Sequence, residues 1–259
     1  LSQDPEDDRA PAWRPDGGAI AFESHRDGNW EIYLFDLSNG ALTRLTNAPG
    51  YDGAPAWSPD GSQIAFESYR DGNLEIYVMS VPGDELRRLT EDPAGDYGPA
   101  WSPGGEAIAF TSWRDGNKEI YLVPAEGGTA RNLTNNPADD EDPVWMPDAG
   151  SAERVLAFVS WRDVDANTLN RNAEIYQIDL TAGSVERLTG NPWPDLDPAW
   201  DAENRLLWSA YDPGAQFETY DPFRPGEYHL YRLGPNGPER LTEQDAAGTR
   251  DAWRWDERR

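Results

Sequence analysis

The sequence predicts an all-β fold, a β-propeller of four-stranded antiparallel blades, and three observations lead there. A Pro or Asp, then a small residue, then Trp recurs at Trp13, Trp57, Trp101, Trp145, Trp200 and Trp253, the first four 44 residues apart and the last two gaps 55 and 53. A period in the forties marks one supersecondary unit copied and stacked, because one copy cannot bury its own apolar face. Between the tryptophans lie short β-rich runs punctuated by turn residues, with no helical periodicity. Twelve Trp, eleven Tyr and a 37 % apolar content supply enough core material for such strands in 259 residues.

The second repeat shows each element. Ala54-Pro55-Ala56-Trp57-Ser58 is a short strand stopped by Pro59-Asp60-Gly61, whose residues favour a tight turn. Ile64-Ala65-Phe66-Glu67-Ser68 is the second strand, and Arg70-Asp71-Gly72-Asn73 follows it. Asp-Gly between β-rich runs signals a hairpin, since Gly accepts the positive φ of the turn. Glu75-Ile76-Tyr77-Val78-Met79 and Leu86-Arg87-Arg88-Leu89-Thr90 give the third and fourth strands. Four antiparallel strands per ~44 residues make a propeller blade. The sequence reads as a single domain over 1–259, with blades near 8–46, 51–90, 95–134, 139–189 and 194–242 and a closing inner strand at 248–256.

The segments Pro55 to Gly61, Ile64-Ala65-Phe66, Glu75-Ile76-Tyr77 and the closing Leu89-Thr90 resemble the TolB-type, WD-like β-propeller repeats. The pattern recurs at Pro11 to Gly17 and at Pro99 to Gly105, the latter with Gly104 in place of Asp. In that family the last inner strand completes the first blade, so the resemblance implies a six-bladed parent. The competing arrangement is five blades with a capping strand. The resemblance is specific for architecture and says little of activity, since such propellers serve as scaffolds, complex subunits and companions of hydrolase domains.

Composition excludes several functions. A formal charge of −26, with Lys118 as the sole lysine, opposes phosphate-backbone contacts and therefore nucleic-acid binding. It favours cations or basic peptides, or simply keeps the surface soluble. Cysteine is absent, so disulfides and thiolate metal sites are ruled out. No apolar run approaches the ~18 residues of a membrane span.

Antiparallel pairing puts the hairpins between strands two and three on the same face as the inter-blade connections. Blades four and five both lengthen that hairpin, and loops on a rigid scaffold are where binding concentrates. Asp8, Asp52, Asp96, Asp140 and Asp195, each five residues before a Trp, fall on this face too. They form an acidic ring at the channel mouth, either for a cation or basic peptide or to shape the turns. In the blade-four hairpin, Asp163, Asp165, Asn167 and Glu174 take positions one, three, five and twelve of a calcium loop, with Leu169 offering a carbonyl. Thr168 stands where such loops need Gly, and Arg171 occupies position nine. The alternative is that Asp163 and Glu174 are inherited repeat residues. The blade-five loop carries Phe217, Tyr220 and Phe223, which either contact a partner or fold onto their own blade.

Two other slots repeat. His25, Tyr69, Trp113, Trp161 and Tyr211 end the second strands; the expectation is packing between blades, with sugar stacking as the alternative. Arg26, Arg70, Arg114 and Arg162 are expected to pair with Glu31, Glu75, Glu119 and Glu174 across each hairpin. Neither a Gly-x-Ser-x-Gly elbow nor a Cys–His pair exists. The sequence is therefore read as a non-catalytic scaffold with possible structural Ca2+. It would bind protein partners through its acidic face in a periplasmic or secreted, envelope or extracellular complex. The alternatives are a carbohydrate-binding propeller and a polysaccharide lyase or glycosidase acting in the channel.

Overall fold

The computed structural model describes residues 7–83, 85–147, 154–164, 171–191, 193–212 and 227–242. These form twenty strands in five four-stranded antiparallel sheets, each in simple meander order. Blade one holds β1 (Asp8–Trp13), β2 (Ala19–Ser24), β3 (Glu31–Asp36) and β4 (Leu42–Arg44). Blade two holds β5 (Asp52–Trp57), β6 (Gln63–Ser68), β7 (Glu75–Ser80) and β8 (Leu86–Arg88). Blade three holds β9 (Asp96–Trp101), β10 (Ala107–Ser112), β11 (Glu119–Pro124) and β12 (Arg131–Asn132). Blade four holds β13 (Asp140–Trp145), β14 (Val155–Val164), β15 (Arg171–Asp179) and β16 (Ser184–Arg187). Blade five holds β17 (Asp195–Trp200), β18 (Leu206–Asp212), β19 (Glu227–Gly234) and β20 (Gly237–Arg240). The architecture is the expected β-propeller, with the five complete four-stranded blades the sequence indicated. The expected closing strand at 248–256 lies outside the described residues. No helix among the described residues is long and apolar enough to cross a membrane.

Second strands of the inner blades are buried on both sides because each of those blades is covered by two neighbours. Ile64, Ala65 and Phe66 have no exposed surface. Ala65, Ile76 and Val78 of blade two pack against Trp101, Ile108, Phe110 and Tyr121 of blade three. The small residue on one blade thus meets the aromatic face of the next, which lets the sheets interdigitate without voids. Each inner-strand tryptophan reaches backward to do the same. The indole N–H donates to the previous inner strand: Trp57 to Ala12 O at 3.0 Å, Trp101 to Ala56 O at 3.1 Å and Trp145 to Ala100 O at 3.1 Å. Trp13 has no blade before it among the described residues and is 60 % exposed, and there the first and fifth blades share no contact.

Every inner strand also carries a bulge at the same place. The register slips between Gly53 and Ala56, and equivalently in the other four blades. Ala10, Ala54, Gly98, Asp142 and Asp197 take the slip with φ between +47° and +61°. Only Gly98 does so without strain, since a left-handed L-residue costs about 1–2 kcal/mol. The bulge frees one N–H toward the axis, which the site below uses.

Replacing an indole by phenyl keeps the packing but orphans a buried carbonyl, at about 1–3 kcal/mol. Trp101→Phe is therefore expected to lower stability by that amount in urea denaturation, and Trp13→Phe to change it by less than about 0.5 kcal/mol. Equal losses in the two variants would show that the inter-blade bond is not the source.

Candidate functional site

The face shared by the inter-blade connections and the β2–β3 type hairpins is built from a polar network copied in each blade. Ser68 lies opposite Asp52 on one side and Glu75 on the other. Arg70 folds back over this row, donating from Nε to Ser68 Oγ at 2.7 Å and from a terminal N–H to Asp52 at 3.0 Å. Its guanidinium lies 4.6 Å from the Tyr77 ring centroid. Arg26, Arg114 and Arg162 repeat these contacts with Asp8, Asp96 and Asp140. The arginines therefore pair inward with the inner-strand aspartates, not with the hairpin glutamates the sequence pointed to. The reason is that the glutamates are already taken. Glu75 has no exposed surface and accepts from Arg88 at 2.8 Å, Thr90 at 2.6 Å and Asn73 at 2.9 Å. Asn73 also donates to the carbonyls of Asp92 and Ala94, tying the hairpin to the next inter-blade connection.

This network fixes where the sequence-derived candidates sit. Asp52, Asp96, Asp140 and Asp195 are fully buried, and Asp8 is mostly so. Burial raises the pKa of Asp52, Asp96 and Asp140 against the lowering effect of serine and arginine donors. Glu174 is buried, accepting from Arg187 at 2.7 Å, Thr189 at 2.8 Å and Asn172 at 2.9 Å. Asp163 accepts from Tyr176 at 2.6 Å and lies 3.4 Å from Arg187. These two ends of the calcium-like loop thus keep the repeat's own partners. Asp165, Asn167 and Leu169 lie outside the described residues, as do Phe217, Tyr220 and Phe223. In the aromatic slot, Tyr69 and Trp113 are 51 % and 44 % exposed, so they face solvent and are not enclosed between blades as expected. Trp161 is partly buried against the blade-five core and donates to Glu141 at 2.9 Å.

Blade five breaks the pattern. Asp212 occupies the arginine slot of the repeat, and Trp208 replaces the usual phenylalanine. Trp208 donates its indole N–H to Asp195 at 3.0 Å, and Asn191 donates at 2.6 Å. Two neutral donors stand where the other blades have a guanidinium, so among the described residues no cation pairs with Asp195. Its acidic neighbour is Glu174. Burial and the Asp195 charge push Glu174 up to about 7, and burial raises Asp195 too.

The carboxylates that line the axial mouth are a different set, which the sequence did not single out. Glu23 and Glu67 cross to the next blade and accept the bulge N–H of Ala54 at 2.7 Å and Gly98 at 2.8 Å. Arg9 pairs with Glu23 at 2.6 Å, and the Lys118 ammonium with Glu141. Asp142 and Asp197 stand on neighbouring bulges and are solvent-exposed. Although its side chain is open to solvent, the protein crowded round it, with repulsion from Glu141, Asp197 and Glu67, raises the Asp142 pKa despite Lys118. These positions change from blade to blade: Glu23, Glu67, Thr111, Val159, Ser209 in one row and Ala10, Ala54, Gly98, Asp142, Asp197 in the other. That variation within a strict repeat was the available signal. Among the described residues, no three acidic or imidazole side chains converge to hold a metal ion.

The TolB beta propeller domain model matches residues 2–97 and 94–205. Among solved structures, the chain is similar to a protein assigned as TolB from Agrobacterium tumefaciens. The TM-score is 0.73 at 22 % identity, covering 93 % of this chain and 82 % of that one. It is also similar to TolB from Acinetobacter baumannii, with TM-score 0.69 and 26 % identity over 92 % of this chain. The chain spans 55 % of the length of that protein. An oligogalacturonate lyase from Vibrio parahaemolyticus shares the fold at 16 % identity and TM-score 0.63, over 88 % of this chain and 63 % of the lyase. Comparison with curated proteins gives no match.

The Glu174–Asp195 pair has a pH consequence. A carboxyl whose folded pKa is raised from 4.5 to about 7 holds a proton in the fold that the unfolded chain has released. Its stabilisation is complete below about 4.5 and is lost as pH rises through 7. Asp142 acts in the same direction. Melting temperature is therefore expected to fall between pH 5 and pH 8, and Asp195→Asn to flatten that profile. A melting temperature that rises over this range would contradict the raised Glu174 pKa.

Proposed function

The chain belongs to the TolB β-propeller domain family, and on that premise we propose a non-catalytic scaffold that binds a protein partner through its acidic, loop-bearing rim. The observation that carries this reading is the exposure of Tyr69 and Trp113 on the rim, beside the mouth carboxylates. Exposed aromatic rings next to charge are the usual anchors of protein contacts. The setting we propose is extracytoplasmic, in an envelope or extracellular complex. Catalysis draws little support from the histidines. His25 stands edge-on to Trp30 at 5.3 Å, and His229 is buried against Arg240 and Thr242. The likeness to oligogalacturonate lyases concerns the fold alone.

A carbohydrate-binding propeller is the second reading, because the same two exposed rings could stack on sugars. Calcium is proposed only as a structural ion of the 163–174 hairpin. Asp163 and Glu174 both face Arg187, so as they stand they do not fit a cation. An ion would have to displace that guanidinium.

Two measurements test these readings. Immobilised protein is expected to retain a partner from the envelope fraction of the source cells, and the Tyr69→Ala/Trp113→Ala double variant to lose it. Equal retention would remove the rim as the contact, and retention on glycans that the double variant loses would favour the carbohydrate reading. If calcium does hold this hairpin, EDTA lowers the melting temperature and Asp165→Ala abolishes that sensitivity. An unchanged melting curve in EDTA rejects the ion.

A further inference from the structure

We propose that the axial mouth holds a seat for an organic cation, the ammonium or guanidinium of a partner's lysine or arginine side chain, framed by Asp142, Asp197, Glu67 and Thr111. It rests on the protein-binding reading above and specifies the chemistry of the contact.

The mouth already seats two of the chain's own cations in one way. Arg9 pairs with Glu23 while its guanidinium lies 3.9 Å from the Trp30 ring centroid and 5.8 Å from that of Tyr51. Lys118 pairs with Glu141 while its ammonium lies 5.7 Å from the Trp113 ring and 6.0 Å from the Tyr97 ring. A carboxylate beside aromatic faces is a sound environment for a desolvated cation. Asp142 follows Glu141 on β13 and has the same acidic surroundings, yet among the described residues nothing donates to its carboxylate. Asp197, on the next bulge, accepts only from the Ser209 hydroxyl among them, at 2.6 Å. Lys118 is already engaged by Glu141, so the local charge stays negative.

A second observation is independent of the acids. Thr111 is 0 % exposed and its hydroxyl has no partner. It holds the row position of Glu23 and Glu67, and those side chains cross to the bulge of the following blade. By the same register Thr111 faces the bulge of blade four, at Asp142. A buried hydroxyl without a partner costs about 1–3 kcal/mol, and a donor entering beside Asp142 would satisfy it. Ammonium and guanidinium groups carry several N–H donors and no acceptor, which suits a carboxylate–hydroxyl–carboxylate lining. A bare metal ion suits it less, because the carboxylates do not converge. The overall charge of −26 adds long-range steering for a basic partner.

The test is isothermal titration calorimetry at 0.15 M NaCl. The probes are N-acetylated pentalysine amide and spermidine. Saturable pentalysine binding is expected, at least ten-fold weaker in Asp142→Asn and in Asp197→Asn. Asparagine tolerates the left-handed backbone at both positions, and circular dichroism verifies the fold. Glu203→Gln, the same charge change at the opposite end of blade five, is expected to alter binding less than two-fold. Equal effects in all three variants, or none, would overturn the seat. Spermidine binding as tightly as pentalysine with the same Asp142 dependence would overturn the assignment to a partner's side chain and give the seat to free polyamines. The partner capture described above separates the two levels. A partner retained equally by wild type and Asp142→Asn sinks the seat alone. Pentalysine binding without any captured partner sinks the protein-binding reading alone.

Discussion

Each blade presents two apolar faces and can cover neither by itself. Ile64, Ala65 and Phe66 are all fully buried, which requires a neighbour on each side of the sheet. That requirement sets the rest: the sheets must stack face to face, and the twist of each strand turns the stack about an axis. The inner-strand tryptophans register the stack by pairing one blade's indole with the previous blade's carbonyl. A polar group placed at every interface penalises slippage, since a shifted blade would leave it without a partner.

Stacking the apolar faces buries the ends of the strands as well, and there the chain places charge. The inner-strand aspartate, the arginine over the aromatic pair and the hairpin glutamate form an extended ion network under each hairpin. Burying such groups is unfavourable unless every charge finds geometry and partners. The repeat meets that condition by copying the whole set together, which explains why Arg-Asp-Gly-Asn, Glu-Ile-Tyr and Leu-Thr travel as a unit. Blade five shows the condition from the other side. Without the arginine, Asp195 keeps its place through the Trp208 and Asn191 donors.

The mouth is governed by different rules. Its residues project from bulges and from the row next to them, where side-chain identity changes from blade to blade. Glu67 and Thr111 occupy equivalent places but present opposite chemistry. Strain is tolerated there too, since Asp142 and Asp197 hold a left-handed backbone that glycine would hold more easily. The rigid ring beneath keeps these groups in place, so the rim can vary without endangering the fold.

The sequence by itself determined the complete blades within this chain, the strand order and the face on which hairpins gather. All of these follow from a repeat period and alternating strand direction, which are local and additive. It also marked Asp52, Arg70 and Glu75 as important, because they recur. It could not say who pairs with whom. Arg70 is near Glu75 in sequence, yet it turns back to Asp52 because Arg88, distant in sequence, occupies Glu75 first. Nor could it locate Asp142, whose significance arises from Glu67 and Asp197 on other blades. Those distances are created only when separate blades converge on one axis, so the fold was legible in the chain while the mouth was decided by assembly.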